Sequence, residues 1–203
     1  MTPDELAAVT HRPGPGEHHA TLTLDGVPTR TLTDLPPLRD HLLFVGLSPS
    51  HDSVAAGHYL QGRLGRTIWR RLMLATILPA ATPIATADDA LVAEGHGITD
   101  LDKRPADPED VKRRRDSELK AGVGPLWQKV ALWRPAAVVF LDKRAATACA
   151  GRELRETWGH LTGVALAGRP CFLMPGTHAP VEEVDEGLNF LRNLAASLPR
   201  DRP

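Results

Sequence analysis

Short apolar runs recur along this chain and alternate with stretches in which apolar residues return every three or four positions. Residues 41–46 (HLLFVG), 136–141 (AAVVFL), 161–167 and 170–174 (PCFLM) are brief and almost wholly apolar, the mark of strands buried on both faces. Residues 67–78 carry apolar side chains at 68, 69, 72, 73 and 77 and predict a helix stopped by Pro79. Further helices are expected over 85–94, 143–150 and 181–198. Residues 108–133 predict one or two more, interrupted around Gly122 to Pro125. Residues 96–104 read as a loop or short strand. The stretch TLTLDGVPTRTLT, ending at Thr33, predicts two short strands about a turn at Asp25-Gly26, after which Pro36-Pro37 breaks the chain. Buried strands alternating with helices give an α/β fold, a parallel sheet covered on both faces.

Such sheets gather ligands at the carboxyl ends of their strands. Four loops therefore compete for the site: 46–66, 95–104, 141–143 and 174–180. One domain over 1–203 is expected, with residues 1–19 as a loosely ordered lead-in. No internal repeat and no low-complexity segment interrupts it.

Composition narrows the function. A chain of 203 residues, 42% hydrophobic, can bury one core. No run approaches the ~18–20 apolar residues of a membrane-spanning helix, and no secretory signal is visible. Two cysteines, Cys149 and Cys171, cannot build a disulfide framework or a four-cysteine metal site. They read as buried thiols, which fits a reducing cytoplasm. The nine histidines show no HxxxH-type ligand spacing, so no metal is expected. The net charge of −1 gives no global signal for nucleic acid. Locally, residues 58–78 hold Arg63, Arg66, Arg70 and Arg71 and no acid. Arg113-Arg114-Arg115 lies among acids and is expected on a solvated helix face.

The candidate chemistry sits in the loops. Gly46-Leu47-Ser48-Pro49-Ser50 ends a strand, where backbone N–H groups can hold a base or an anion. Residues 62–67 (GRLGRT) open a helix but fail as a phosphate loop, because Leu60 stands where GxxxxGK[ST] needs its first glycine and Arg66 replaces the lysine. No GxGxxG follows a strand. Tyr59, the only tyrosine, lies where an aromatic could stack on an extruded base. Asp100 and Asp102 lie where a carboxylate could orient water, although loop aspartates also cap turns. The Gly/Pro-rich loop 174–180 could enter a DNA groove or simply connect to the last helix.

The order of these segments resembles the mismatch-specific uracil and thymine-DNA glycosylases, a family of the uracil-DNA glycosylase superfamily, from about Leu38 to Leu198. LLFVGLSPS resembles the family's GINPG strand end. GHYLQGRLGRTIWRRL resembles its glycine-containing loop, aromatic and GN-x-FW segment. GHGITDLDKRP resembles GVTxLxxRP, LWRPAAVVFLDKRA resembles YQPxxxxxxGKxA, and LMPGTHAP resembles the second, NPSG or MPSS, loop. The resemblance implies a three-layer α/β/α sandwich with a central, mainly parallel sheet, and recognition of DNA with the target nucleotide turned into a pocket. Gly46, Leu47, Pro49, Tyr59 and Leu60 would form that pocket. Leu47 and Tyr59 would sandwich the base, and N–H groups near Tyr59 and Leu60 would read its edge. Gly176, Thr177, His178 and Ala179 would be the wedge that fills the hole. The arginines of 62–71, Arg63 and Arg66 among them, and Lys143 would lie near phosphates.

Three departures matter. Ser48 stands at the family's catalytic asparagine, Met174 at the leading polar residue of the second loop, and Arg66 at the asparagine of GN-x-FW. Cleavage builds positive charge on the sugar and negative charge on the base, and a carboxylate can stabilise that cation and orient the attacking water. Asp100 is the expected replacement, with Ser48 holding water or base and Asp102 and Asp52 in reserve. The expectation is a monofunctional, cofactor-free, monomeric, cytoplasmic enzyme (nucleoid-associated in a prokaryote) on double-stranded DNA bearing uracil or a mismatch. Two cysteines cannot ligate a cubane cluster. The rivals are a non-catalytic binder of damaged DNA on the same fold, and an α/β enzyme acting on free nucleosides or nucleotides.

Overall fold

The computed structural model describes residues 12–198, so most of the expected lead-in, residues 1–11, lies outside the described residues. A hairpin comes first: β1 (His19–Leu24) and β2 (Val27–Leu32), antiparallel, with Leu24 opposite Val27. Asp25 and Gly26 both take positive φ, 51° and 80°, the type I′ turn whose twist matches the flanking strands.

The main sheet contains β3 (Leu42–Gly46), β4 (Gly97–Asp100), β5 (Ala137–Phe140), β6 (Gly159–Leu166) and β7 (Arg169–Leu173) in the order β4-β3-β5-β7-β6. All pairings are parallel except β6 with β7. The parallel strands β3, β4 and β5 are buried along their whole length, whereas the edge strand β6 alternates buried and exposed residues. Residues 33–38 cross the other edge, where Leu35 and Ile98 exchange both backbone hydrogen bonds. Gly97 permits the crossing, since a β-carbon there would meet Pro37 N at 2.4 Å.

Period-two alternation divides the core into two layers. Leu42, Phe44, Ile98, Val139 and Phe172 face one side. There they pack on α2 (Arg63–Leu74), α3 (Ala87–Ala93) and α8 (Val181–Ala196). Leu43, Val45, Val138, Phe140 and Leu173 face the other, against α6 (Val123–Trp133) and α7 (Lys143–Ala150). The result is the three-layer α/β/α sandwich.

Three elements differ from expectation. A short helix, α1 (His51–Ala56), fills part of the first site loop; Ser50 Oγ accepts from Ser53 N and Gly57 closes it at φ 71°. The helix expected over 67–78 runs four residues earlier, because Thr76 at φ 57° turns residues 75–78 out of it. The stretch 108–133 holds three helices, α4 (Pro108–Arg113), α5 (Asp116–Lys120) and α6, with an extra break at Arg114-Arg115. That break corrects the solvated-face reading of the arginine run: Arg114, its side chain 11% exposed, turns inward to Asp102 at 2.7 Å. No described helix is long and apolar enough to cross a membrane.

Candidate active site

Asp100 is the last residue of β4, and Gly46, its partner in the register, is the last residue of β3. Both point to the layer of α2. The Asp100 carboxylate leans over Gly46, where the bare backbone leaves room for it. The loops beyond stay in step: Leu101 N donates to Gly46 O at 3.0 Å, Asp102 N to Leu47 O at 2.9 Å and Ala106 N to Pro49 O at 3.0 Å. Gly46, Leu47, Ser48, Pro49 and Asp100 therefore come together at the carboxyl end of the sheet.

Asp100 is 4% exposed. Its Oδ2 and the Oγ of Ser48 are buried without a protein hydrogen-bond partner. Such atoms are rare in a native fold, because an unmade hydrogen bond costs about 1–3 kcal/mol. Burial pushes the Asp100 carboxyl up to about 7; Lys103 and Lys129 oppose this, while Asp34 and Asp102 add to it.

A buried charge network stands behind Asp100. Asp34 Oδ1 lies 2.8 Å from Lys103 Nζ and Oδ2 lies 2.7 Å from Lys129 Nζ. Thr99 donates its hydroxyl to the same carboxylate. Asp34 is buried, yet the two ammonium groups hold it well below the usual carboxylate range. Burial lowers Lys129, against the pull of Asp34. With Asp100 ionised the four groups balance, two acids against two lysines. No spacing in the sequence pointed to Asp34 or Lys129, which join Asp100 only through the fold. Lys103 lay in view beside Asp102.

The remaining expected residues scatter in role. Asp102 is 8% exposed and engaged by Arg104 at 2.9 Å and Arg114 at 2.7 Å, which makes it a structural anchor. Asp52 is exposed in the first turn of α1. Tyr59 is 1% exposed; its hydroxyl donates to Thr33 O at 2.9 Å and accepts from Lys103 Nζ at 3.0 Å. Its backbone N–H donates to Asp88 Oδ2 at 2.8 Å, so that N–H does not read a base edge as expected. Leu60, half-buried, takes φ 58°. This conformation is uncommon for a branched side chain and is held by packing of Gly65 on its carbonyl.

Arg63, Arg66 and Lys143 are exposed, Arg63 and Arg66 at the start of α2 and Lys143 at the start of α7. Arg71 corrects the phosphate expectation: it is 7% exposed, and its Nη1 donates to Pro175 O at 2.8 Å and Gly176 O at 3.1 Å. It tethers the loop of Gly176, Thr177, His178 and Ala179, in which Gly176 and His178 are exposed and Ala179 N donates to Gly176 O.

Fold and site together define an α/β/α sandwich with a buried acid and a buried hydroxyl at the carboxyl ends of parallel strands, where such sheets gather ligands. The family model of the uracil DNA glycosylase superfamily matches residues 33–192, and the chain belongs to that superfamily. It is a DNA glycosylase that acts on uracil by hydrolysing an N-glycosidic bond. No curated protein matches the chain. The matched span holds every strand of the main sheet and leaves β1 and β2 outside.

Proposed function

We propose that the protein removes uracil from G·U mismatches in double-stranded DNA as a monofunctional hydrolase, with Asp100 as the catalytic carboxylate. One observation carries the reading: a buried acid and a buried hydroxyl, each with an oxygen that has no protein partner, lie at the carboxyl ends of adjacent parallel strands, where such sheets gather ligands, within the span matched by the superfamily. The target nucleotide is turned out of the helix, a step that costs a few kcal/mol and is cheapest at a mismatch. Gly46, Pro49 and Leu60 border the pocket, with Leu47 and Tyr59 buried behind it in opposite core layers rather than on the two faces of a base.

The C1′–N1 bond breaks and its electron pair leaves with uracil. Ionised Asp100 stabilises the charge on the sugar and orients a water molecule, whose oxygen bonds to C1′ and whose proton passes to the carboxylate. Ser48 Oγ holds that water or the base. Exposed Arg63, Arg66 and Lys143 bind phosphates, and residues 176–179 fill the gap in the stack. The same reading places a monomeric enzyme with the chromosome in the cytoplasm.

Release of uracil from a G·U duplex tests this directly. Asp100→Asn is expected to lose at least ~100-fold in rate, Ser48→Ala to slow, and Asp102→Asn to retain the chemistry while losing stability. Full activity in Asp100→Asn would defeat the assignment. Binding without release by the intact protein, on uracil or thymine mismatches, would instead support a non-catalytic binder.

A further inference from the structure

Four metal-ligand side chains converge on the opposite side of Tyr59 from the catalytic carboxylate's network. His18 precedes β1, His58 lies in the turn after α1, and Asp88 and Asp89 occupy the first turn of α3. One donor atom from each lies within 4.8 Å of all the others. His18 Nε2 is 2.8 Å from Asp89 Oδ1, and His58 Nδ1 is 2.9 Å from Asp88 Oδ1. The two imidazoles stand edge to face at 5.6 Å. His18 is 3% exposed and Asp88 is fully buried.

Charge is the physical difficulty. Among the described residues, neither aspartate has a lysine or arginine partner; each pairs only with a histidine. With neutral imidazoles the cluster carries two negative charges in a largely desolvated place, which is costly without compensation. A divalent cation cancels that charge. We infer that His18, His58, Asp88 and Asp89 form a structural binding site for a divalent transition metal, with zinc as the ion the donor set suits.

Two imidazole nitrogens with two carboxylate oxygens suit a tetrahedral zinc site, while calcium and magnesium prefer all-oxygen shells. Ligands ~2.1 Å from zinc are ~3.4 Å apart. The His–Asp pairs are closer than that, at 2.8 and 2.9 Å, and all donors lie within 4.8 Å, so side-chain shifts of about an ångström close the site. Outer hydrogen bonds already orient the ligands: Tyr59 N donates to Asp88 Oδ2 at 2.8 Å and Gly16 N to Asp89 Oδ1 at 3.2 Å. His18 lies outside the span matched by the superfamily, whereas the other three ligands lie within it. The ion therefore fastens the N-terminal segment and hairpin to the sandwich that the superfamily match covers, at the turn that carries Tyr59. The linear spacing that gave no metal site could not show this, since the ligands are separated by 40 and 30 residues and meet only in the fold.

The test uses the untagged full chain. After expression with zinc and exhaustive dialysis, elemental analysis is expected to find one zinc per chain. Chelation should lower Tm, and zinc chloride at a hundredfold excess over Kd should restore about 5–10 °C. Cobalt(II) chloride added to the stripped protein should give the intense visible absorption of a tetrahedral ion. Asp89→Asn and His18→Gln, with fold checked by circular dichroism, should lose both the bound metal and the zinc-dependent rise in Tm. Cys149→Ser should keep them. The inference is overturned if the intact chain retains no stoichiometric zinc and zinc leaves its Tm unchanged. It is equally overturned if folded Asp89→Asn binds zinc as the intact chain does, or if Cys149→Ser abolishes binding.

Discussion

Gly46 and Asp100 sit opposite each other in the β3–β4 register, and a β-carbon on Gly46 would lie 2.2 Å from Asp100 Oδ1. The glycine is thus the seat of the carboxylate. Gly46→Ala is expected to push the carboxyl group aside and to cost roughly 10–100-fold in the rate of uracil release, since misplacement by ~1 Å has that scale of effect. Circular dichroism should show an intact fold. An alanine variant with native activity would show that Asp100 does not need its place over residue 46.

Burial raises Asp100 to about 7, and the proposed chemistry needs its ionised form. Single-turnover uracil release should therefore climb about tenfold per pH unit below ~7 and level off above it. The limb should vanish in Asp100→Asn, whose residual rate no longer titrates there. A rate flat from acid to neutral pH in the intact enzyme would remove Asp100 from the role.

The same shift makes Asp100 a burden on stability. Its folded-state value lies above its ordinary 3.8, so between those values the folded chain holds a proton that the unfolded chain has lost. Stability from this group is full below the ordinary value and declines as pH rises toward 7. Asp100→Asn is expected to be the more stable protein at pH 8, by ~1 kcal/mol or more, about 2–4 °C in Tm. The advantage should shrink on acidification, which thermal melts at several pH values will show.

Arg71 ties α2 to the loop proposed as the wedge, through Pro175 O and Gly176 O. Removing a charged hydrogen-bond donor from these carbonyls, of which Pro175 O is buried, costs about 1.5–3 kcal/mol. Arg71→Ala should therefore melt earlier and, because the loop is freed, raise KM for a G·U duplex more than it lowers kcat. Steady-state kinetics separate the two; a pure kcat defect would count against the tether.

Arg63 and Arg66 are exposed at the start of α2. If each contacts a phosphate, replacing either with alanine should weaken binding to every DNA sequence alike. It should also reduce the slope of log K against log salt by about 1. Binding titrations across a salt series decide this, and an unchanged slope would place the DNA elsewhere.

The strands β3, β5 and β7 were legible because each lies in a continuous apolar run, and burial within the sheet demands that composition whatever surrounds it. The D-G hairpin was legible for a local reason as well, since few residue pairs accept two positive φ values. Gly46, Ser48 and Asp100 could be nominated because they stand at strand ends. The short helix α1 was missed although Ser50, Asp52 and Gly57 carry its capping signals. Its six residues are too few for a hydrophobic period to register.

What the sequence determined by itself is therefore what rests on neighbours along the chain: the buried strands, the turn chemistry and the layered α/β class. The tertiary structure decided which charges meet. Asp34 and Lys129 come from distant segments to join Lys103 beside Asp100, Arg114 leaves a basic run to hold Asp102, and Arg71 turns inward to a loop more than a hundred residues away. Burial sets the worth of each of these groups, and burial exists only once the layers have closed.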